Sequence, residues 1–221
     1  CQRGDAQKPG PVGPTDNGVS ALPPNFILDR AKEALQQAKS YRVKGNGVSD
    51  GQKLSLDFRI SGNDLGGKVT MGGATIELLS VAGRRFMRPD EKFWAMAIGA
   101  DKADKMVKLI GDRWVVVPDD DKRLVKLFSI ANVDQLFRPD SSLKTGETRD
   151  IDGVKAIGVV ESGAEGGALY VATTGQPYPL LVVGSNPADG EVAFSDFGAT
   201  FEDLKAPPES DVIDLEEVSR N

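Results

Sequence analysis

The sequence has no histidine, and its only cysteine among 221 residues is Cys1. Without histidine, Ser-His-Asp and Cys-His catalysis and the commonest imidazole metal sites are excluded. With one cysteine, neither an intramolecular disulfide nor a Cys-rich zinc site can form. We therefore predict no catalytic residues, no metal site and no cofactor, and expect a binding protein rather than an enzyme.

Long apolar runs and a positive net charge are also missing. The apolar runs are short, as in Phe93–Ile98 and Trp114–Val117, whereas a membrane-spanning helix needs roughly 20 apolar residues. The net charge is −6 at pH 7, which provides no general attraction to nucleic acid. The sequence therefore predicts neither a membrane-spanning helix nor a nucleic-acid partner.

The first 24 residues are rich in proline and glycine and contain little apolar surface to bury. This composition predicts a flexible, extended tether over residues 1–24. Cys1 at the head of such a tether resembles the mature N-terminus of a bacterial lipoprotein, which is cut by the lipoprotein signal peptidase and acylated on its cysteine. Stable anchoring takes two or more acyl chains. We expect Cys1 to be lipidated; the alternative is a chance cysteine in a processed tail.

Residues 25–221 predict a single α+β domain. The stretch 23–41 has apolar residues at helical spacing, including Ile27, Ala31 and Leu35, and predicts a helix capped by Asn25. Residues 54–60 alternate apolar and polar side chains, which predicts a strand buried on one face. Sequential strand patterns joined by short turns favour one antiparallel sheet with helices on one face.

The middle of the chain predicts helices inserted between strands. Residues 101–110 indicate a short helix, and residues 119–140 a long one that starts at three aspartates and ends at "RPD". Residues 93–98 fit either a strand or the start of a helix. From residue 154 onward, four strand patterns separated by turn residues predict an antiparallel meander.

These segments, taken in order, resemble the LppX/LprA/LprF/LprG lipoproteins of actinobacteria and, more distantly, LolA and LolB. The resemblance covers roughly residues 25–215. It rests on the following segments: "AKSYRVKGNG", "LSLDFRI", "GRRFMRP", "GDRWVVVP", "IDGVKAIGVV", "ALYVATTGQPYPLLVV" and "FSDFGATFEDLKAPPESDVIDL". It implies a strongly curved antiparallel sheet, or half-barrel, with helices across its concave face. It also implies an apolar cavity between them that holds acyl chains.

Apolar residues of the predicted strands and helices would line that cavity. The candidates are Leu54, Leu56, Phe58, Ile60, Met71, Ile76, Leu78, Met106, Leu109, Leu124, Leu127 and Phe128. The same side chains would equally fill a close-packed core. Only the resemblance favours a cavity over a core for this set.

The resemblance implies a monomeric carrier or chaperone of lipid or lipoglycan, anchored through Cys1 to the outer face of the cell membrane. The alternative is a sensor of lipid or envelope stress that binds an envelope protein partner. A carrier exchanges its ligand with membranes, whereas a sensor binds its partner in a ligand-dependent way.

Two charged clusters allow two interpretations each. Arg84, Arg85 and Arg88 could contact an anionic headgroup at the cavity mouth, or could lie on a solvent-facing strand. Asp119–Asp121 could collect a cation, but they lack the alternating spacing of a calcium loop and suit a solvated helix start better.

Overall fold

The computed structural model describes residues 15–49, 51–137, 142–162 and 167–214. Its helices and strands follow in chain order: α1 Pro24–Ala38, β1 Ser40–Ser49, β2 Gln52–Ser61, β3 Asp64–Met71, β4 Ala74–Val81, β5 Arg84–Pro89, α2 Glu91–Ile98, α3 Ala100–Ile110, β6 Trp114–Val117, α4 Lys122–Leu127, β7 Leu143–Ile151, β8 Val154–Glu161, β9 Ala168–Ala172, β10 Pro179–Val183, β11 Glu191–Ser195 and β12 Val212–Asp214. Two 3-10 turns, Phe128–Ala131 and Val133–Phe137, follow α4. No helix in these ranges is long and apolar enough to cross a membrane.

The twelve described strands form one sheet in the order β12-β6-β5-β4-β3-β2-β1-β11-β10-β9-β8-β7. Neighbouring strands are antiparallel except β12, which runs parallel to β6. The sheet is open and curled, with the helices on its concave face. This confirms the predicted α+β half-barrel.

The concave face carries the core because the strands alternate as predicted. In β2, Leu54, Phe58 and Ile60 are buried, whereas Ser55 between them is exposed. Helices α2 and α3 cover β2–β6, and α1 crosses β1 and β7–β10. Two clusters of buried side chains result, one under α1 and one under α2 and α3.

The structure corrects several local predictions. Helix α1 starts at Pro24 with Pro23 at its N-cap, so Asn25 lies inside the first turn and is not the cap; proline suits this first turn because its missing N–H would be unpaired there. Residues 93–98 belong to helix α2. The predicted long helix over 119–140 is only α4 followed by two 3-10 turns within the described residues, and "RPD" lies outside them.

Three strands went unpredicted. β1 carries Gly45 and Gly47 among polar residues, β7 has almost no buried side chain, and β12 is only three residues long. β7 and β12 therefore lack the alternation of large apolar residues that identifies a strand, and in β1 that alternation stops after Val43. Tertiary pairing, not local pattern, places them in the sheet.

The chain is attached to the sheet from Thr15 onward. The Asn17 backbone N–H donates to the Thr173 carbonyl at 2.8 Å, and its side-chain amide donates to the carbonyls of Ala172 and Gly175. Val19 is buried in the cluster under α1. The predicted tether of residues 1–24 therefore includes a part, from Thr15, that lies on the domain; residues 1–14 are outside the described ranges.

The convex face of β1–β5 carries a row of alternating charges. Lys44, Asp57, Lys68, Glu77 and Arg88 lie directly opposite one another on successive strands. Opposite charges on neighbouring strands stabilise the pairing, and like charges in a shifted register would destabilise it. The row therefore helps to fix the strand register that shapes the concave face.

Asp57 makes the shortest of the ion pairs that the structure describes. The Arg42 Nε and Nη2 donate to its two carboxylate oxygens at 2.8 and 2.6 Å. This hydrogen-bonded guanidinium lowers the pKa of Asp57 below its usual value, although partial burial opposes the shift. A lowered pKa in the folded state means that the pair stabilises the fold above the unfolded-state pKa of about 3.9 and that this stabilisation is lost as pH falls through the folded-state pKa.

Asp57→Asn is expected to lower the free energy of unfolding by about 1 kcal/mol at pH 7, a modest value because the pair is partly solvated. The difference from the unmodified protein should vanish in acid, where Asp57 itself is protonated. Urea unfolding as a function of pH measures this. Asp203→Asn is the matched control, since the Asp203 side chain is 81% exposed in its pair with Arg59 and should change stability little. A difference that persists unchanged in acid would contradict the assignment.

Candidate functional site: a cavity at the junction of the helical covers

A cavity of about 680 Å³ opens on the concave face where α1 and the α4 region meet. It lies over the first residues of β1, the end of β2 and the start of β3. The end of α1 bounds one side and residues 128–137 bound the other. Helix α1 covers one half of the sheet, and α2 and α3 cover the other half. None of these three helices fills the space between the two halves.

The floor of the cavity is apolar. It is made by Leu35, Tyr41, Ile60, Leu65, Phe128, Val133 and Phe137. Ile60 and Leu65 lie directly opposite each other on β2 and β3, so the tight turn between these strands places two apolar side chains side by side. Tyr41 and Ile60 are likewise opposite each other on β1 and β2.

The rim of the cavity is polar and carries both signs of charge. It is formed by Lys32, Gln36, Lys39, Asn63, Asp64, Asn132 and Asp134. Burial of the phenol, with a contribution from the negative charge of Asp134, raises the pKa of Tyr41 to about 12. Tyr41 is therefore neutral at physiological pH and adds no charge to the floor. An apolar floor under a polar rim can hold a ligand with one apolar and one hydrated end.

The twelve residues predicted to line a lipid cavity are distributed over the concave face. Ile60 and Phe128 line the observed cavity. Leu54, Phe58, Ile76 and Leu78 are buried in the cluster under α2 and α3, and Leu56, Met71, Met106, Leu109, Leu124 and Leu127 pack against that cluster and are partly buried. Their role in binding lipid stays a prediction.

Sequence reasoning missed most of the cavity floor. Tyr41 lies on the unpredicted strand β1, and Leu65 lies in "SGNDLGG", which reads as a turn although β3 already begins at Asp64. Val133 and Phe137 belong to 3-10 turns with no apolar periodicity to identify them. The alternation of Tyr41 and Val43 with charged residues was the one local signal available.

The charged clusters left open by the sequence are paired in the structure. Arg84 pairs with Glu209, Arg85 with Asp119, and Arg88 with Glu77. The Arg88 guanidinium also lies over the Trp114 ring, 4.3 Å from its centroid. None of these three arginines lines the cavity, and Arg88 belongs to the charge row on the convex face.

Asp121 caps helix α4, its side chain accepting a hydrogen bond from the Leu124 N–H. Across the described ranges, no group of three or more metal-ligating side chains comes together. The aspartate run therefore acts as the start of a helix in this structure.

A second, smaller space of about 450 Å³ lies on the convex face. It is bounded by the charge row, by Trp114, and by Leu204, which packs over Gly66. Most of its charged side chains already have partners, among them Asp57, Glu77 and Arg88. The lining of this space is mostly polar, and most of its charges are neutralised by ion pairs within the protein. The concave cavity is therefore the better candidate for an apolar ligand.

No protein-family model matches the sequence, and no curated protein matches it. The comparison of structures decides the fold. The crystal structure of LprF from Mycobacterium bovis aligns with a TM-score of 0.53 over 83% of this chain and 96% of LprF, at 11% identity.

The chain has the fold of LprF. Two further structures align with lower scores. One is the lipoprotein LppX of Mycobacterium tuberculosis, with a TM-score of 0.38, 16% identity, and coverage of 82% of this chain and 94% of LppX. The other is an uncharacterized conserved protein from Thermus thermophilus, with a TM-score of 0.42, 14% identity, and coverage of 86% of this chain and 97% of that protein. At 11% identity, the likeness to LprF indicates a shared architecture, and the function has to be argued from the site.

Proposed function

We propose that this protein is a membrane-anchored, extracytoplasmic lipoprotein that binds the acyl chains of a lipid or glycolipid and carries them between membranes. The observation that supports this most is the cavity of about 680 Å³ with an apolar floor and a polar rim. Its volume lies within the range of about 300–1,000 Å³ that is typical of ligand pockets. The half-barrel fold expected from the lipoprotein resemblance adds support.

The chemistry of the cavity favours an acyl chain over a polar ligand. Moving each methylene from water to the apolar floor is worth about 0.8 kcal/mol. The rim residues Lys32, Asp64 and Asp134 are exposed or partly exposed, so a headgroup beside them keeps its hydration. A fully polar ligand would desolvate against Leu35, Ile60 and Phe137 without compensating hydrogen bonds.

The hydrogen bonding of the buried polar side chains and the raised pKa of Tyr41 support a non-enzymatic role. Within the described ranges, every buried side-chain nitrogen or oxygen has a hydrogen-bond partner. The one large pKa shift beside the cavity, at Tyr41, follows mainly from burial and makes the group less able to act as an acid or base at neutral pH. Binding and release therefore describe the site better than a reaction.

Anchoring is tested first, by changing Cys1→Ala in the precursor expressed in a suitable bacterial host. The unmodified protein should be in the membrane fraction and carry the mass of a diacylglyceryl group or more. The variant should be released or remain unprocessed, because two or more acyl chains are needed for stable anchoring. An unmodified protein that is soluble and has no added mass would refute the anchor.

Carriage is tested by lipid transfer between vesicles, using the chain with Cys1→Ser so that the anchor plays no part. Donor vesicles contain a phospholipid with a fluorescent acyl chain, and acceptor vesicles contain none. The protein should increase the transfer rate in proportion to its concentration. Binding of the probe without faster transfer would contradict the carrier function and leave a binding protein.

A further inference from the structure

The cavity opens at one end of the sheet, which we term the mouth end. The mouth end comprises the last residue of α1 and two turns. These turns are residues 61–64 between β2 and β3 and residues 81–84 between β4 and β5. The register places Tyr41 beside Ile60 and Arg42 beside Ser195, so β11 also ends there. The turns 49–52 and 71–74 lie at the opposite end of the same strands.

The N-terminal attachment lies at the mouth end as well. Pro179, at the start of β10, pairs with Val171, near the end of β9, so the hairpin that joins β9 to β10 lies at the mouth end. Residues 15–17 are attached to this hairpin. Asp16 forms a β-bridge with Thr174, and the Gly175 N–H donates to the Thr15 carbonyl at 3.1 Å. Thr15 is therefore held on the same side of the molecule as the cavity opening.

The distances between these features are short compared with the length of the domain. From β2, beside the cavity, to β9, beside the attachment, there are four strand spacings, or about 19 Å along the sheet. The opposite end of β2 is nine residues away, or about 30 Å along the strand. The composition of residues 1–14 predicts a flexible tether, and a flexible linker of 14 residues has a root-mean-square span of about 20 Å. An anchor at residue 1 therefore reaches a bilayer most readily when the mouth end faces it.

We propose that the membrane-facing surface of this protein is the mouth end, so that the cavity opens directly toward the bilayer that holds the anchor. This rests on the anchoring part of the proposed function. The net charge of −6 provides no attraction to an anionic membrane, so the point of attachment sets the orientation.

Photo-crosslinking to lipid tests the orientation without relying on acylation in a host. Cys1, the only cysteine, is coupled to a maleimide phospholipid in vesicles of phosphatidylethanolamine and phosphatidylglycerol. Two full-length variants carry p-benzoylphenylalanine, one by Ala82→p-benzoylphenylalanine at the mouth end and one by Gln52→p-benzoylphenylalanine at the opposite end. Both positions are outward-facing in hairpins and neither lines the cavity, so bound ligand does not confuse the result.

The variant at position 82 should give several-fold more lipid adduct by intact mass than the variant at position 52. Equal adducts at both ends, or more at position 52, would overturn the proposal. Inserting a long Gly-Ser linker between residues 14 and 15 should bring the ratio toward one, because linker span grows with length; a ratio that the linker leaves unchanged would also overturn it. Lipid uptake by the same variants is measured separately, so failure of orientation is distinguishable from failure of lipid binding.

Discussion

Leu65→Trp is expected to abolish most lipid uptake while leaving the fold almost as stable as before. The Leu65 side chain is partly buried and borders the cavity of about 680 Å³, so an indole at this position occupies empty space instead of displacing neighbours. We expect the affinity for a fluorescent fatty acid to fall by about tenfold or more, equivalent to about 1.4 kcal/mol of binding free energy. Equilibrium titration gives the affinity, and urea unfolding gives the stability.

Leu78→Trp is the matched control on the same concave face. Leu78 is 0% exposed and lies in the close-packed cluster under α2 and α3, where added volume forces neighbours apart at a cost of about 1–3 kcal/mol. The two variants should therefore separate, with Leu65→Trp losing affinity and Leu78→Trp losing stability. If Leu65→Trp is as destabilising as Leu78→Trp, the space beside Leu65 is part of a packed core and the cavity is not a binding site.

Gly45→Ala is expected to destabilise the fold by about 2–3 kcal/mol, in the range of substitutions that force backbone to move. A Cβ at this position would lie against the Glu191 carbonyl oxygen and 2.7 Å from the Val192 Cα. Gly45 pairs with Val192, where β1 meets β11 and the two halves of the half-barrel join. The strands can approach this closely only because position 45 has no side chain.

Gly47→Ala provides the comparison within the same strand and on the same face. A Cβ there would meet nothing closer than the Leu54 Cδ1, at 4.0 Å. The free energy of unfolding of the Gly47→Ala variant should differ from that of the unmodified protein by no more than about 0.5 kcal/mol. Urea unfolding of both variants measures the difference, and equal stabilities would show that close approach at Gly45 does not hold the two halves together.

Local pattern was enough to predict the elements whose burial is regular. The alternation of Leu54, Phe58 and Ile60 with polar residues identified β2, and the apolar stripe of Ile27, Ala31 and Leu35 identified α1. Both patterns follow from one face lying against the core. The half-barrel itself came from the order of these segments and from resemblance, because curvature is a property of the whole sheet.

The cavity could not be predicted residue by residue. Ile60 lines it and Phe58, two residues earlier on the same face, is fully buried in a packed cluster, yet the sequence treats them alike. What distinguishes them is how far α1, α2 and α3 extend over the sheet, which depends on where each helix ends. The attachment of Asn17 to the β9–β10 hairpin was equally invisible, since it joins residues more than 150 positions apart.

Native mass spectrometry of the domain tests lipid binding most directly. The chain with Cys1→Ser, which cannot carry an anchor, is purified without detergent from an actinobacterial host. The predicted result is a second set of peaks heavier by the mass of a lipid, which tandem fragmentation identifies by its acyl chains and which Leu65→Trp removes. A single lipid-free species that remains unchanged after incubation with phospholipid and glycolipid vesicles would contradict the proposal that this cavity binds acyl chains.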